Sequence, residues 1–397
     1  MSDNYIPLDI QTHIMKKLPV NSLIRFRCVS KQWKSLIDSS KFIKSYQNTM
    51  NHLLVRYSLK YLYTTEFFSF TDEYRFVSII DNNATIPQHK SPITVPMPVN
   101  IRLQYSEVLH LPGNILGSSH GLICFYGFLF GNFNENAELI VLWNPSIRKS
   151  VGIVIPNKLP GLSLLEYVSE LRMSCIGFGV CPETNDPKIV KINTIDGTPY
   201  GYWEVQVYTL SSKVWKKVSV KPPCKKRDYQ QCEGVSVKGF IYWLMYGEID
   251  SGVKSNLIAS FDLTNEEFGQ VYLPDGLLRS PRLRLSKRNE CLTVLDYEAD
   301  NNRVLQVCNV WMMKDDDVTK SFTKMFSIKL SGRLFKEVLE FGKNGDAIIE
   351  TIEDDGHSVL QVYDPSLGHI SGDMGMDGSY FSFSVRSYME TLLLLDE

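Results

Sequence analysis

Val207-Tyr208-Thr209-Leu210-Ser211-Ser212-Lys213-Val214-Trp215 decides how most of this 397-residue chain folds. An apolar run ends in a short polar turn, and a second run starts at once, the signature of two strands joined tightly. The run upstream alternates, as Glu204-Val205-Gln206-Val207-Tyr208 shows, and Lys188-Ile189-Val190-Lys191-Ile192 is a second example. Period two means one face buried and one wet. The unit recurs from Phe67 to Ile79, Val141 to Lys149, Ser260 to Phe268 and Val362 to Ile370, and more loosely around Val310 and Trp311. With Phe70, Trp143, Tyr208, Phe261, Trp311 and Tyr363 equivalent, the steps are 73, 65, 53, 50 and 52 residues. Such a period suits blades of a propeller.

A preceding strand pair with a glycine turn also repeats, at Ser119 to Phe125, Val237 to Trp243 and Gly345 to Glu350. The spacing predicts an all-β domain, a β-propeller-like ring of about six four-stranded blades in which radial repetition hides the sheet edges. A pair of packed sandwiches is the alternative. A ring must close, and the run from Tyr388 through Leu395 can pair with an early strand such as His52 to Tyr57.

Toward the N-terminus the period changes. From Leu8 to about Ser39 the apolar residues fall at helical spacing, with Leu8, Ile10, Ile14, Met15 and Leu18 in one stripe. Leu23, Ile24, Phe26 and Val29 make the next; Trp33, Leu36 and Ile37 the third. Three to four short helices are expected. Pro19 should end the first, because a proline pushes the residue before it out of the α region. Ser30 can cap the third by accepting from its free amides.

Composition agrees with a folded chain. Hydrophobic residues make up 44% and charged residues 22%, which excludes a largely disordered or collagen-like protein. The formal net charge of -2 conceals an uneven distribution. Residues 1–50 hold eight basic and three acidic side chains, a net of +5, and the remainder carries -7. That asymmetry points to an N-terminal piece with a partner of its own, a nucleic acid or an acidic protein surface. No secretory leader and no membrane span is expected; the longest apolar candidate, Gly121 to Gly131, is too short. Eight cysteines without a C-x-x-C pair read as reduced residues of a cytosolic or nuclear protein. The sequon at Asn83 then carries no weight.

The residues from Ile6-Pro7-Leu8-Asp9-Ile10 and from Ile14 through Leu18-Pro19-Val20-Asn21-Ser22-Leu23 to Ile37 closely resemble the F-box, over about residues 4–46. The rest of the chain resembles the F-box-associated β domain of plant F-box proteins, the S-locus F-box group included. The segments that carry this are Gly117 to Cys124, Leu142 to Lys149, Ile176 to Val180, Trp203 to Leu210 and Phe261 to Phe268. Kelch repeats proper hold a Gly-Gly pair in each blade and this chain has none, so kelch-like describes architecture only. The resemblance implies an F-box domain over 1–48 and a substrate-binding β domain over 49–397. It implies a substrate receptor of an SCF-type ubiquitin ligase, docked on a Skp-family adaptor and through it on cullin and RING subunits. By matched position, Pro7, Leu8, Ile10, Ile14, Leu18, Pro19 and Leu23 would face the adaptor, with Val29 and Trp33 on the third helix. A module of about 40 residues cannot bury so many apolar groups internally. The similarity to S-locus proteins implies a narrower role, recognition of secreted-type ribonucleases taken up from the style.

No catalytic constellation emerges, so an enzyme is not expected. Gly117-Ser118-Ser119-His120-Gly121 matches G-x-S-x-G, but a nucleophile elbow needs a strand before and a helix after, and Leu122 to Tyr126 reads as a strand. A hairpin turn is the expectation. The seven histidines lack metal-ligand spacing, and Gly372-x-x-Gly375-x-x-Gly378 lacks the Lys-Ser/Thr of a phosphate loop, so neither metal nor cofactor is expected. The acidic runs 315–317 and 353–355 read as solvated loops. Two basic stretches, 213–227 and Arg279, Arg282, Arg284, Lys287 and Arg288, hold few aromatics and lie in an acidic domain, against a nucleic-acid groove. The second is a candidate for part of a protein-binding face. A propeller-type binding protein or hydrolase without a ligase role is the competing reading.

Overall fold

In a computed structural model the chain is described over residues 6–46, 51–58, 74–81, 90–95, 114–129, 137–155, 174–195, 202–219, 227–229, 233–248, 254–300, 305–316, 319–330, 334–379 and 383–394. Four helices come first: α1 (Leu8–Met15), α2 (Val20–Phe26), α3 (Lys31–Ile37) and α4 (Ser40–Ser45). Pro19 does not terminate α1, which stops at Met15. It stands at the N-cap of α2, where its φ of -59° and missing N–H suit a helix start. Pro7 does the same for α1. Ser30 caps α3 as expected, accepting from the Trp33 amide at 3.1 Å, and Ser39 caps α4 through Phe42.

Among the described residues the regular elements after α4 are all strands, apart from one 3-10 turn at Asp275–Leu277. These strands fall into six groups. The first joins β1 (Asn51–Tyr57), β2 (Arg75–Asp81) and β3 (Lys90–Ile93) to β25 (Ser384–Met389). The second is β4 (Asn114–Ser119), β5 (Leu122–Leu129), β6 (Ala137–Asn144) and β7 (Lys149–Ile155). The third is β8 (Ser174–Val180), β9 (Pro187–Ile195), β10 (Tyr202–Thr209) and β11 (Val214–Val218). The fourth holds β12 (Arg227–Tyr229), β13 (Val235–Val237), β14 (Phe240–Glu248), β15 (Lys254–Asp262) and β16 (Phe268–Val271). The fifth is β17 (Leu283–Arg288), β18 (Cys291–Ala299), β19 (Leu305–Asp316) and β20 (Thr319–Lys329). The last is β21 (Leu334–Phe341), β22 (Ala347–Ile352), β23 (Ser358–Asp364) and β24 (His369–Gly378), joined to the fifth by the Leu305–Phe335 pair.

The repeat read from the sequence is thus a structural repeat. Trp143, Tyr208, Phe261, Trp311 and Tyr363 lie on β6, β10, β15, β19 and β23, the strand before the edge in each group. Phe70 lies outside the described residues, as do 220–226 of the first basic stretch. The glycine turns join first and second strands. His120 and Gly121, and Lys238 and Gly239, all have positive φ, the geometry that matches the twist of a two-residue hairpin. β25 and β1 are hydrogen-bonded neighbours, but the pairing strand is Ser384–Met389 and not the run from Tyr388 through Leu395, of which only Tyr388 and Met389 lie on a strand among the described residues.

The chain divides into two compact units, one of residues 1–52, 93–158 and 388–397, the other of 53–92 and 159–387. In the larger unit the apolar clusters lie between successive sheets. Cys175, Val190 and Val207 meet Trp243, Ala259 and Phe261; Tyr242, Leu244 and Ile258 meet Leu285, Val294 and Met313. Leu295, Val310 and Ile328 meet Val338, Ile349 and Tyr363; Leu339, Leu360 and Met374 meet Leu53, Val55 and Val385. A Cβ on Gly177 would lie 2.5 Å from the Trp243 ring, so the closeness of β8 to β14 requires glycine there.

Candidate functional site

The helical segment buries one side and exposes the other. Met15, Val20, Leu23, Ile37, Phe42, Ile43 and Tyr46 form a core that also contains Leu392 from the C-terminal segment. Polar links close it: Tyr46 Oη donates to Leu18 O at 2.7 Å, and Trp33 Nε1 donates to Gln11 Oε1 at 2.7 Å. Arg27 grips Asp38 with two hydrogen bonds, and that bond first, against the cost of burial, holds the guanidinium above its usual value.

Of α1 only Met15 is buried, while Leu8, Ile10 and Ile14 are 39%, 53% and 48% exposed; Val29, which lies in the turn between α2 and α3 and not on the third helix as expected, is 62% exposed. Ile10 and Ile14 are four apart and share a face. Pro7 and Pro19 are exposed as well. Leu18 and Trp33 are half-buried against the core, with the Trp33 ring 5.2 Å from Phe26. Leu23 departs from the expectation. At 0% exposure it sits in the centre of the helical core, because α2 presents Val20 and Leu23, three apart, inward.

The C-terminal segment fixes this unit. Asn144, fully buried at the end of β6, donates to the carbonyls of Thr391 and Leu393 at 3.0 and 2.7 Å, and Glu390 accepts from the Val20 amide at 3.1 Å. Gly121 touches the same segment, where a Cβ would collide with the Met389 carbonyl. The hydrolase-like stretch is a hairpin turn, as expected. β4 runs into His120-Gly121 and β5 follows, so no helix offers amides to an oxyanion; Ser119 Oγ and His120 Nδ1 lie 3.0 Å apart as neighbours across the turn.

The second basic stretch is not a row of five free cations. Arg284 is bonded to Glu337, Lys287 lies 3.1 Å from Glu290, and Arg288 donates to Gly345 O at 3.1 Å beneath the rings of Phe326 and Phe341. Arg279 and Arg282 are exposed, Arg282 over the Tyr297 ring. Arg279 and Arg282 precede β17, so only Arg284, Lys287 and Arg288 are held by the strand.

What the stretch does contribute is a member of a mixed-charge cluster in the larger unit. Arg284 and Lys287 on β17 share it with Glu337 and Glu340 on β21, Arg386 on β25, Arg56 on β1 and Glu233 beside β13. Burial works against the Arg284 charge, but Glu337 and lesser contributions from Tyr297, Glu233 and Glu340 outweigh it. Burial pushes the Glu340 carboxyl up, against Arg386, Lys287 and the amides of Phe341 and Ser387 that it accepts. Burial pulls the Arg56 guanidinium below its usual value, and the like charge of Arg386 adds to that. Of these residues only Arg284 and Lys287 stood out in the sequence. The others are single charges in apolar strands, and the signal for them is a charged residue at an otherwise buried position, as in His52-Leu53-Leu54-Val55-Arg56.

Among the described residues no group of three or more His, Cys, Asp or Glu is placed to hold a metal ion, and no helix is long and apolar enough to cross a membrane.

Comparison with known proteins adds to this geometry. Residues 119–363 match the F-box associated beta propeller domain, more than half of the chain, and residues 5–45 match the F-box domain. An F-box/kelch-repeat protein of Arabidopsis thaliana is 24% identical over 334 residues, 82% of this chain and 80% of the relative. The F-box protein CPR1 of the same plant is 27% identical over 350 residues, 82% and 73% of the two chains. Among solved structures, the β-propeller domain of the Trilobed protease from Pyrococcus furiosus overlays with a TM-score of 0.33 at 13% identity, covering 64% of this chain and 80% of that one.

Proposed function

Because this chain belongs to the plant F-box proteins with an F-box-associated β-propeller domain, we propose that it is the substrate-recognition subunit of an SCF-type ubiquitin ligase. The exposure of Pro7, Leu8, Ile10, Ile14, Pro19 and Val29 carries the reading. A folded segment that already has a core, yet leaves this many large apolar groups in water, has area to bury against a partner. That partner is a Skp-family adaptor, leading to cullin and RING subunits. Eight basic against three acidic side chains in residues 1–50 suit an acidic adaptor.

Residues 1–48 serve docking and residues 49–397 hold the protein substrate, in the cytosol or nucleus. The chain itself does no chemistry on the substrate; it raises the effective concentration of substrate near the ubiquitin-carrying subunits. No nucleic acid or membrane takes part. The S-locus similarity adds a narrower candidate substrate, a secreted-type ribonuclease.

Co-purification with a Skp-family protein tests the reading. Leu8→Asp and Ile14→Asp should each weaken adaptor binding by about 30-fold or more, the scale of an interface hot spot, while the β part stays folded. Undiminished binding in both variants would remove the docking face.

A further inference from the structure

Among the described residues, Arg56 is the cation of the mixed-charge cluster with no carboxylate bonded to it; Glu233 acts on it through space only. Arg284 has Glu337. Arg386 has Glu233 at 3.5 Å and donates to the Val385 carbonyl. Glu340 spends both carboxylate oxygens on the amides of Phe341 and Ser387. Arg56 lies under the Tyr74 ring, 4.6 Å from its centre, and is only 7% exposed. Its Nε finds no hydrogen-bond acceptor among the described residues. A buried guanidinium so placed is costly unless an acceptor arrives.

We infer that Arg56 and Arg386 together receive an acidic side chain of a bound protein segment, so that the cluster is part of the substrate-binding site. The inference rests on the substrate-receptor reading and names the chemistry of its ligand.

Three features select that ligand. A guanidinium is a planar fork of donors whose geometry matches an oxyanion. The cluster reaches solvent at its edge, where the side chains of Glu233 and Arg284 are 34% and 26% exposed. The edge also carries two carboxylates, Glu233 and Glu337, which repel a second negative charge. A carboxylate, with one charge, is therefore favoured over a phosphoryl group with nearly two. The strands supply the frame. β17 packs beside β13 and β21, so groups from strands and from the Glu233 bridge reach one place.

The test uses the full chain and four probes: the capped peptide Gly-Gly-Glu-Glu-Gly-Gly, its Gln-Gln counterpart, acetate and inorganic phosphate. Calorimetry should show the Glu peptide bound, with affinity falling as salt rises, the Gln peptide unbound, and both acetate and phosphate weaker than the Glu peptide. Arg56→Met should lower affinity for the Glu peptide by about tenfold, the usual scale for losing one charge-assisted contact, and should raise the melting temperature in the absence of peptide. Arg386→Gln, which keeps a polar side chain but is shorter and uncharged, should lower the affinity as well and stands in if Arg56→Met fails to fold. Equal binding of the Glu and Gln peptides, unchanged affinity in both variants, or phosphate binding tighter than the Glu peptide would each overturn the inference. A chain that still co-purifies with its adaptor but binds no Glu peptide overturns this inference alone, whereas loss of adaptor binding strikes the receptor reading.

Discussion

The helical segment and the charged strands of the larger unit leave different things unsatisfied. Around α1 the remainder is hydrocarbon: Leu8, Ile10, Ile14 and Val29 stand in water while Met15, Val20 and Leu23 fill the core. Between β1, β17, β21 and β25 the remainder is charge, concentrated in one guanidinium. Exposed hydrocarbon adds almost nothing to the cost of the isolated fold, since folded proteins carry much apolar surface anyway. It gains free energy only when a partner covers it. A buried charge works the other way, costing stability until a ligand answers it. The first kind of surface suits a constant partner, the second a selected one.

The sharpest way to break this contrast lies inside the helical segment, between two leucine- or isoleucine-bearing helices of similar composition. Leu23→Asp places a carboxylate in the centre of the core and should cost about 4 kcal/mol or more, enough to unfold the segment in a urea titration. Ile14→Asp, on the exposed face, should stay within about 0.5 kcal/mol of the parent. If Leu23→Asp proves as stable as Ile14→Asp, the division of the segment into core and face is wrong.

Next in size is the dependence of the helical core on the C-terminal segment. Leu392 is fully buried in that core, and its truncation to Ala should cost about 3 kcal/mol by lost burial and the cavity left. Asn144→Ala strands the carbonyls of Thr391 and Leu393 and should cost about 2 kcal/mol. Thermal denaturation followed at Trp33 would register both. If either variant leaves the helical transition in place, the segment folds without its distant partner.

That dependence marks where the sequence stops being legible. Periodicity found α1 to α3, because local stripes such as Ile10 and Ile14 need no knowledge of the rest of the chain. It could not tell the core stripe from the docking stripe, since Leu23 and Ile14 are equally apolar, and which one is covered depends on Leu392, hundreds of residues away. The β repeat was legible for the same local reason, each unit carrying its own strand, turn and aromatic. The charge cluster was not. Arg56, Glu233, Glu340 and Arg386 come from segments far apart along the chain, and each alone is one charge among many. Arg279 and Arg282 drew attention as neighbours in sequence of Arg284, although both precede β17 and lie outside the strand that carries Arg284 into the cluster.

The smallest effect sharpens the other half of the contrast, because the larger unit also holds a buried cation that is fully answered. Lys188 on β9 donates to Glu266 at 2.8 Å and to Leu263 O at 2.8 Å, and Lys216 on β11 lies 3.3 Å from the same carboxylate. Burial alone would push the Glu266 carboxyl up, but the Lys188 hydrogen bond and charge, with Lys216 behind them, outweigh it and hold the carboxyl below its usual value. A folded-state value below the unfolded one means stability that is present above the unfolded value, near pH ~4.3, and lost as pH falls through the folded value. Glu340, pushed up by burial, has the opposite sign, its contribution fading as pH rises. Glu266→Gln should therefore cost about 1–2 kcal/mol at pH 7, most of it from Lys188, since Lys216 is largely exposed. The difference between variant and parent in urea stability should shrink toward zero as the pH is lowered past the carboxylate range. A difference that stays constant from pH 7 into acid would mean that the carboxylate's charge is irrelevant to Lys188, and that an answered cation and Arg56, with no carboxylate bonded to it, are energetically alike.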